Sequence, residues 1–101
     1  MEVLPSAVDL SSTTEVTVSA EMGASAAAAS AALLGVTPMG LDADSAAFAA
    51  ALSAAGGQYL GMTAQHVGSR LGLASDQAIS SLTYQATDAI NAASGLGGAL
   101  L

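Results

Sequence analysis

The chain has 101 residues, a formal charge of −7 and one strong cation, Arg70. Phosphate contacts rely on Lys and Arg, so this balance excludes nucleic-acid binding and opposes docking on anionic membrane surfaces. There is no cysteine, which removes disulfides and thiolate metal sites. Of the residues, 52% are hydrophobic but only 3% are aromatic. Much of the apolar content is alanine, which favours helix and buries little area. An all-α fold with a thin core follows. A small chain without disulfides or metal most readily completes such a core with a partner chain.

The N-terminus, Met1-Glu2-Val3-Leu4-Pro5, has no basic region of the kind that opens a Sec-type signal peptide. The most apolar stretch, Ala26 to Val36, is too short to span a bilayer, so no stable membrane insertion is expected. If the chain is exported, it uses another route.

A first helix is predicted over about 6–34. Pro5 sits at its first turn, where a missing N–H does no harm. Its seam runs through Leu4, Val8, Ser11, Glu15, Val18, Met22, Ser25, Ala29, Ala32 and Val36, with spacings of four and three. Ser11, Glu15 and Ser25 interrupt it with polar groups. The β-branched run Thr13–Val18 offers a competing strand. That reading is set aside because no other segment looks like a strand to pair with.

Residues 35–43 form a turn. Pro38 drives its predecessor out of the α region, and Gly35 is a natural helix stop. Asp42, Asp44 and Ser45 then supply N-cap candidates and negative charge for a second helix over about 44–93. This helix would be roughly 70 Å long. Its seam is Phe48, Leu52, Ala55, Tyr59, Met62, His66, Ser69 and Leu73, followed by a stripe through Ile79, Leu82, Ala86, Ala89 and Ala93. Gly56, Gly57, Gly61, Gly68 and Gly72 oppose a continuous rod, and a break near Gly56-Gly57 or Gly72 is one outcome. Close approach by another helix is the other. The Gly-rich segment 95–101 is read as a flexible tail after a hairpin domain spanning 1–94.

No chemistry emerges. His66, the single histidine, lies on the seam between Met62 and Ser69 and lacks a nucleophile in a recognisable setting, so it reads as an interface residue. Asp42 and Asp44 have no further ligands at EF-hand spacing, and capping accounts for both. Gly95-Leu96-Gly97-Gly98 has no following helix to receive a phosphate. The expectation is a protein without catalytic, cofactor or metal sites. A hairpin of this length cannot bury both apolar faces, so Val8, Val18, Met22, Phe48, Leu52, Tyr59, Met62 and Leu73 are assigned to a partner interface. Tyr84 and Asp88 stand four apart near the end of the second helix. They project from one face with Cβ atoms about 6 Å apart, a patch that a sorting receptor could read, the alternative being an ordinary surface Tyr beside a solvated Asp.

The chain resembles the PE domain of mycobacteria and their relatives, along nearly its whole length. Pro5-Ser6-Ala7-Val8 is similar to the family's Pro-Glu start, with Ser6 in place of the Glu. Pro38-Met39-Gly40-Leu41-Asp42-Ala43-Asp44-Ser45 matches the inter-helix turn, and Tyr59 falls where many members carry a tyrosine. Tyr84-Gln85-Ala86-Thr87-Asp88-Ala89-Ile90-Asn91 looks like the Y-x-x-x-[DE] export motif with a frequently accompanying Asn. The resemblance implies an antiparallel two-helix hairpin that completes a four-helix bundle with a PPE protein. It also implies export of the heterodimer by an ESX (type VII) secretion system. A cytosolic chaperone would grip the PPE partner, and Tyr84 and Asp88 would contribute to recognition by the machine. The protein would be cytoplasmic before export, then secreted or at the cell surface. The alternative is an ESX-associated structural protein that self-assembles into homo-oligomers. An amphipathic membrane binder is a poor third, for want of a basic face.

Overall fold

A computed structural model describes residues 2–100, and the side chains of residues 2–95. It contains two helices, α1 (Pro5–Leu34) and α2 (Ala43–Leu100), packed against each other as a helical hairpin. No strand occurs among the described residues. The β-branched run in α1 is helical. Thr13, Thr14 and Thr17 each donate a hydroxyl hydrogen bond to the carbonyl four residues back, at 3.1, 2.9 and 3.1 Å, which satisfies these side chains within the helix.

Local chemistry sets the helix boundaries. Pro5 opens α1, and the Leu4 carbonyl accepts from the amides of Ala7 (3.0 Å) and Val8 (3.3 Å). At the other end the Gly35 amide still donates to the Ala31 carbonyl at 3.0 Å. A Cβ on Gly35 would stand 2.8 Å from that same oxygen, so glycine suits the exit from the helix. Asp42 caps α2: its carboxylate accepts from the Ser45 amide at 2.9 Å and from the Ser45 hydroxyl at 2.8 Å.

α2 runs unbroken through Gly56, Gly57, Gly61, Gly68 and Gly72. It also passes Ala93, where the glycine-rich segment was expected to end it, and continues to Leu100. Glycine costs a helix about 1 kcal/mol relative to alanine but does not forbid it. No proline follows to impose a stop. Leu101 lies outside the described residues.

The hairpin divides into two compact units. In the unit Val18–Ser69, α2 contributes Ala49, Ser53, Gly56, Leu60, Thr63 and Val67 to the inner seam, all buried or half-buried and spaced by four and three. They face Ser19, Met22, Ala26, Ala29 and Leu33 of α1, which are likewise buried or half-buried. Gly56 lies against Leu33, so close that a Cβ on it would be 2.9 Å from the Leu33 carbonyl carbon.

In the other unit, residues up to Thr17 pack with residues from Arg70 on. Here the seam is held by polar bonds. Arg70 pairs with Glu15 at 2.8 Å, the Ser12 hydroxyl donates to the Ala74 carbonyl at 2.7 Å, and Gln77 donates to Ser11 at 2.8 Å. Ser81, which is fully buried, donates to the Pro5 carbonyl at 3.2 Å and accepts from Gln85 at 3.2 Å. The polar interruptions at Ser11 and Glu15 are therefore bonding positions between the helices. Among the described residues, the buried apolar side chains are Ala49 in the first unit and Ala74 in this one. Each contributes on the order of one methyl group's burial, about 0.8 kcal/mol.

Candidate interaction surface

Most of the large apolar side chains of α2 lie outside the seam, although Leu60 and Val67 are half-buried in it. Phe48, Leu52, Tyr59, Met62 and Leu73 are all exposed, Phe48 by 66% and Met62 by 70%. Each precedes a buried or half-buried neighbour: Ala49, Ser53, Leu60, Thr63 and Ala74. One residue is about 100° around an α-helix. The stripe that Phe48, Leu52, Tyr59, Met62 and Leu73 mark in the sequence is therefore a flank beside the helix–helix contact, whose buried positions are small residues.

Predicted interface residues from both helices meet in the unit Val18–Ser69. Val18 and Met22 of α1, both half-buried, line a groove of about 480 Å³ with Tyr59 and Thr63 of α2. Phe48 and Leu52 line a second depression of about 370 Å³ with Val36, Pro38 and Met39. Val8 and Leu73 belong to the other unit, where Val8 is half-buried and Leu73 exposed. Met39 and Leu41, which sequence reasoning did not single out as surface residues, are fully exposed in the turn. Their signal was available, since two large apolar residues flanking Gly40 in a proline-containing turn have no helix face to bury them.

Tyr84 and Asp88 both lie on α2 and are exposed. Tyr84 is 38% exposed, less than the other exposed large hydrophobic side chains among the described residues, and lines a shallow cleft with Ile79, Ser80 and Thr83. Every described side chain from Leu82 to Gly95 is exposed. Ser81 is the residue of this region that sequence reasoning missed. Its acceptor is a backbone carbonyl of α1, which no side-chain pattern reveals.

The remaining polar candidates stay apart. His66 is exposed on α2, and no cluster of three or more His, Cys, Asp or Glu that could hold a metal occurs among the described residues. Asp42 acts as a helix cap. The Ser45 hydroxyl, then the Ser45 amide, hold its carboxyl below the usual 3.8. No described helix is long and apolar enough to cross a membrane.

Fold and surface together define a class: an all-helical hairpin whose buried positions are small residues and whose large apolar side chains are mostly exposed. No protein-family model, curated protein or solved structure matches the chain.

Proposed function

We propose that this chain is a non-catalytic, PE-type export partner. It pairs with a PPE-type protein, completes a four-helix bundle, and leaves the cytoplasm as a heterodimer through an ESX (type VII) secretion system. Tyr84 and Asp88 form part of the export signal, and chaperone contact runs through the PPE partner. The protein then functions as a secreted or cell-surface component.

The observation that carries this reading is the inversion of the hairpin's packing. Its buried positions, Ser19, Ala49, Gly56, Ala74 and Ser81, are all small, and larger seam residues such as Leu60 and Val67 are only half-buried, while Phe48, Leu52, Tyr59 and Met62 stay exposed along one flank. Burying one such side chain yields about 1.5–3 kcal/mol, so a second hairpin laid on the flank would supply the core this one lacks. The resemblance of the Pro5, Pro38–Ser45 and Tyr84–Asn91 segments to the PE domain names the kind of partner.

Co-expression with a PPE-type protein tests it. The complex should be soluble and defined, and the chain alone poorly folded or aggregated. Tyr84→Ala should stop secretion and leave the heterodimer intact. A stable lone monomer with sharp thermal unfolding, or normal export of Tyr84→Ala, would defeat the reading. A defined homo-oligomer in sedimentation of the pure protein would favour self-assembly instead.

A further inference from the structure

Along α2 the residues that close on α1 are Arg70, Ala74, Gln77 and Ser81, separated by four, three and four. Three more residues lead to Tyr84, four more to Asp88 and three more to Asn91. In a helix this alternation keeps one face in line. Tyr84, Asp88 and Asn91 therefore continue the face of α2 that packs on α1. Yet α1 becomes helical only at Pro5, and the Pro5 carbonyl is bonded to Ser81. Beyond that rung all three residues are exposed.

We infer that this continuation of the inner seam is a docking track for a single basic helix of the protein that reads the export signal. The helix lies in line with α1 and presents a Lys or Arg to Asp88. This rests on the export-partner reading, because it states how Tyr84 and Asp88 are recognised.

Continuity with the hairpin seam is the first argument. The closed rungs are polar bonds across the helix pair, and the last of them is the bond from Ser81 to the Pro5 carbonyl. Ser81 is completely buried and is bonded both to Pro5 and to Gln85, which lies between Tyr84 and Asp88. The track thus starts where the buried, doubly bonded Ser81 closes the hairpin seam. Charge is the second argument. Asp88 is exposed on a chain of charge −7 whose single strong cation, Arg70, is bonded to Glu15. A second copy would bring seven more net negative charges, whereas a basic helix is attracted.

The test scores export of the co-expressed heterodimer from cells, with heterodimer recovery measured in parallel. Asn91→Trp is on the track but outside the Tyr84–Asp88 pair. Ala86→Trp and Ile90→Trp lie five and nine residues beyond Ser81, on the far side of the helix. Asn91→Trp should lower export at least tenfold with heterodimer yield unchanged. At least one of the far-side variants should keep both heterodimer and export within twofold of wild type. Asp88→Asn should lose at least tenfold, and Asp88→Glu should keep most of the activity, because the partner group is a cation.

If Tyr84→Ala blocks export but Asn91→Trp does not, the track is wrong and the export reading stands. The same holds if both far-side variants block export while the heterodimer survives. If Tyr84→Ala is exported normally, the export reading falls and takes the track with it. If the pure protein sediments as a dimer that Asn91→Trp dissociates, the occupant is a second copy and the basic helix is overturned.

Discussion

Gly56 of α2 is pressed against the backbone of Leu33 in α1. A Cβ placed on Gly56 would stand 2.9 Å from the Leu33 carbonyl carbon and 3.1 Å from the Leu33 Cβ. Real Cβ atoms do not approach backbone so closely, and backbone cannot swing aside as a side chain can. Glycine at 56 is what lets the two helices meet over small residues. Gly57 beside it is looser, since its Cβ would meet only Leu34 Cδ2 at 3.6 Å.

This contrast gives a stability prediction. Gly56→Ala gains about 1 kcal/mol of helix propensity but must open the helix pair, and overpacking costs typically 1–3 kcal/mol. The net expectation is a loss of about 1 kcal/mol, larger if the pair cannot separate locally. Gly68→Ala meets nothing within 4 Å and should instead gain about 0.5–1 kcal/mol. Circular-dichroism melts of the co-expressed complex carrying each variant separate the two. A Gly56→Ala protein that melts higher than wild type would show that the helices do not approach closely at this point.

Much of the architecture was legible in the sequence. Pro5, Gly35, Pro38 and Asp42 carry unambiguous local chemistry, and they set the helix boundaries to within a residue of expectation, apart from the C-terminal end. The inner seam of α2 was not legible. A reading that follows large apolar residues selects Phe48, Leu52, Tyr59, Met62 and Leu73, and each is one residue out of register with the true contact. Periodicity reports where apolar surface lies and not which surface the chain itself covers. Only the close approach at Gly56, a three-dimensional fact, shows that a residue without a side chain sets the contact there. The bond from Ser81 to the Pro5 carbonyl was hidden for the related reason that half of it is backbone.

The ion pair between Glu15 and Arg70 invites a measurement of its own. The groups meet at 2.8 Å on the helix–helix seam, with side chains 22% and 32% exposed. Pairs on protein surfaces are worth about 0–1 kcal/mol, and this one, partly sheltered, is expected near the top of that range. A double-mutant cycle with Glu15→Ala and Arg70→Ala should return a coupling of about 1 kcal/mol that shrinks in high salt. Arg70→Ala should also cost more than Glu15→Gln. The first leaves a half-buried carboxylate without its cation, and the second keeps an acceptor for the guanidinium. Equal costs would mean that solvent, and not Arg70, compensates Glu15.

Asp42 links the cap of α2 to pH. The folded carboxyl is held below the usual 3.8 by the Ser45 hydroxyl and amide. Its contribution is therefore fully present above pH 3.8 and fades as pH falls through the lower folded value. Wild type should melt above Asp42→Ala at pH 7, and the gap should narrow as the pH drops below about 4, where the carboxyl protonates. A gap that stays constant down to pH 2 would mean that the cap works through shape or hydrogen-bond donors and not through the carboxylate.

The outer flank is tested most directly at Met62. This side chain is 70% exposed, one residue before half-buried Thr63. Within the hairpin, Met62→Lys removes little packing and should leave the intrinsic helix content of the chain unchanged, since Lys and Met have similar helix propensity. A partner hairpin seated on the flank changes the outcome. Burial of such a side chain contributes about 1.5–3 kcal/mol, and a lysine would bring an uncompensated charge into the same contact. Because 1.4 kcal/mol is a factor of ten, Met62→Lys should weaken the heterodimer at least tenfold in a co-purification titration while improving solubility of the chain alone. The equivalent change at Gln65, an exposed polar residue three positions on, should do neither. If Met62→Lys binds its PPE-type partner as wild type does, the flank through Phe48, Leu52, Tyr59 and Met62 is not the surface that completes the bundle.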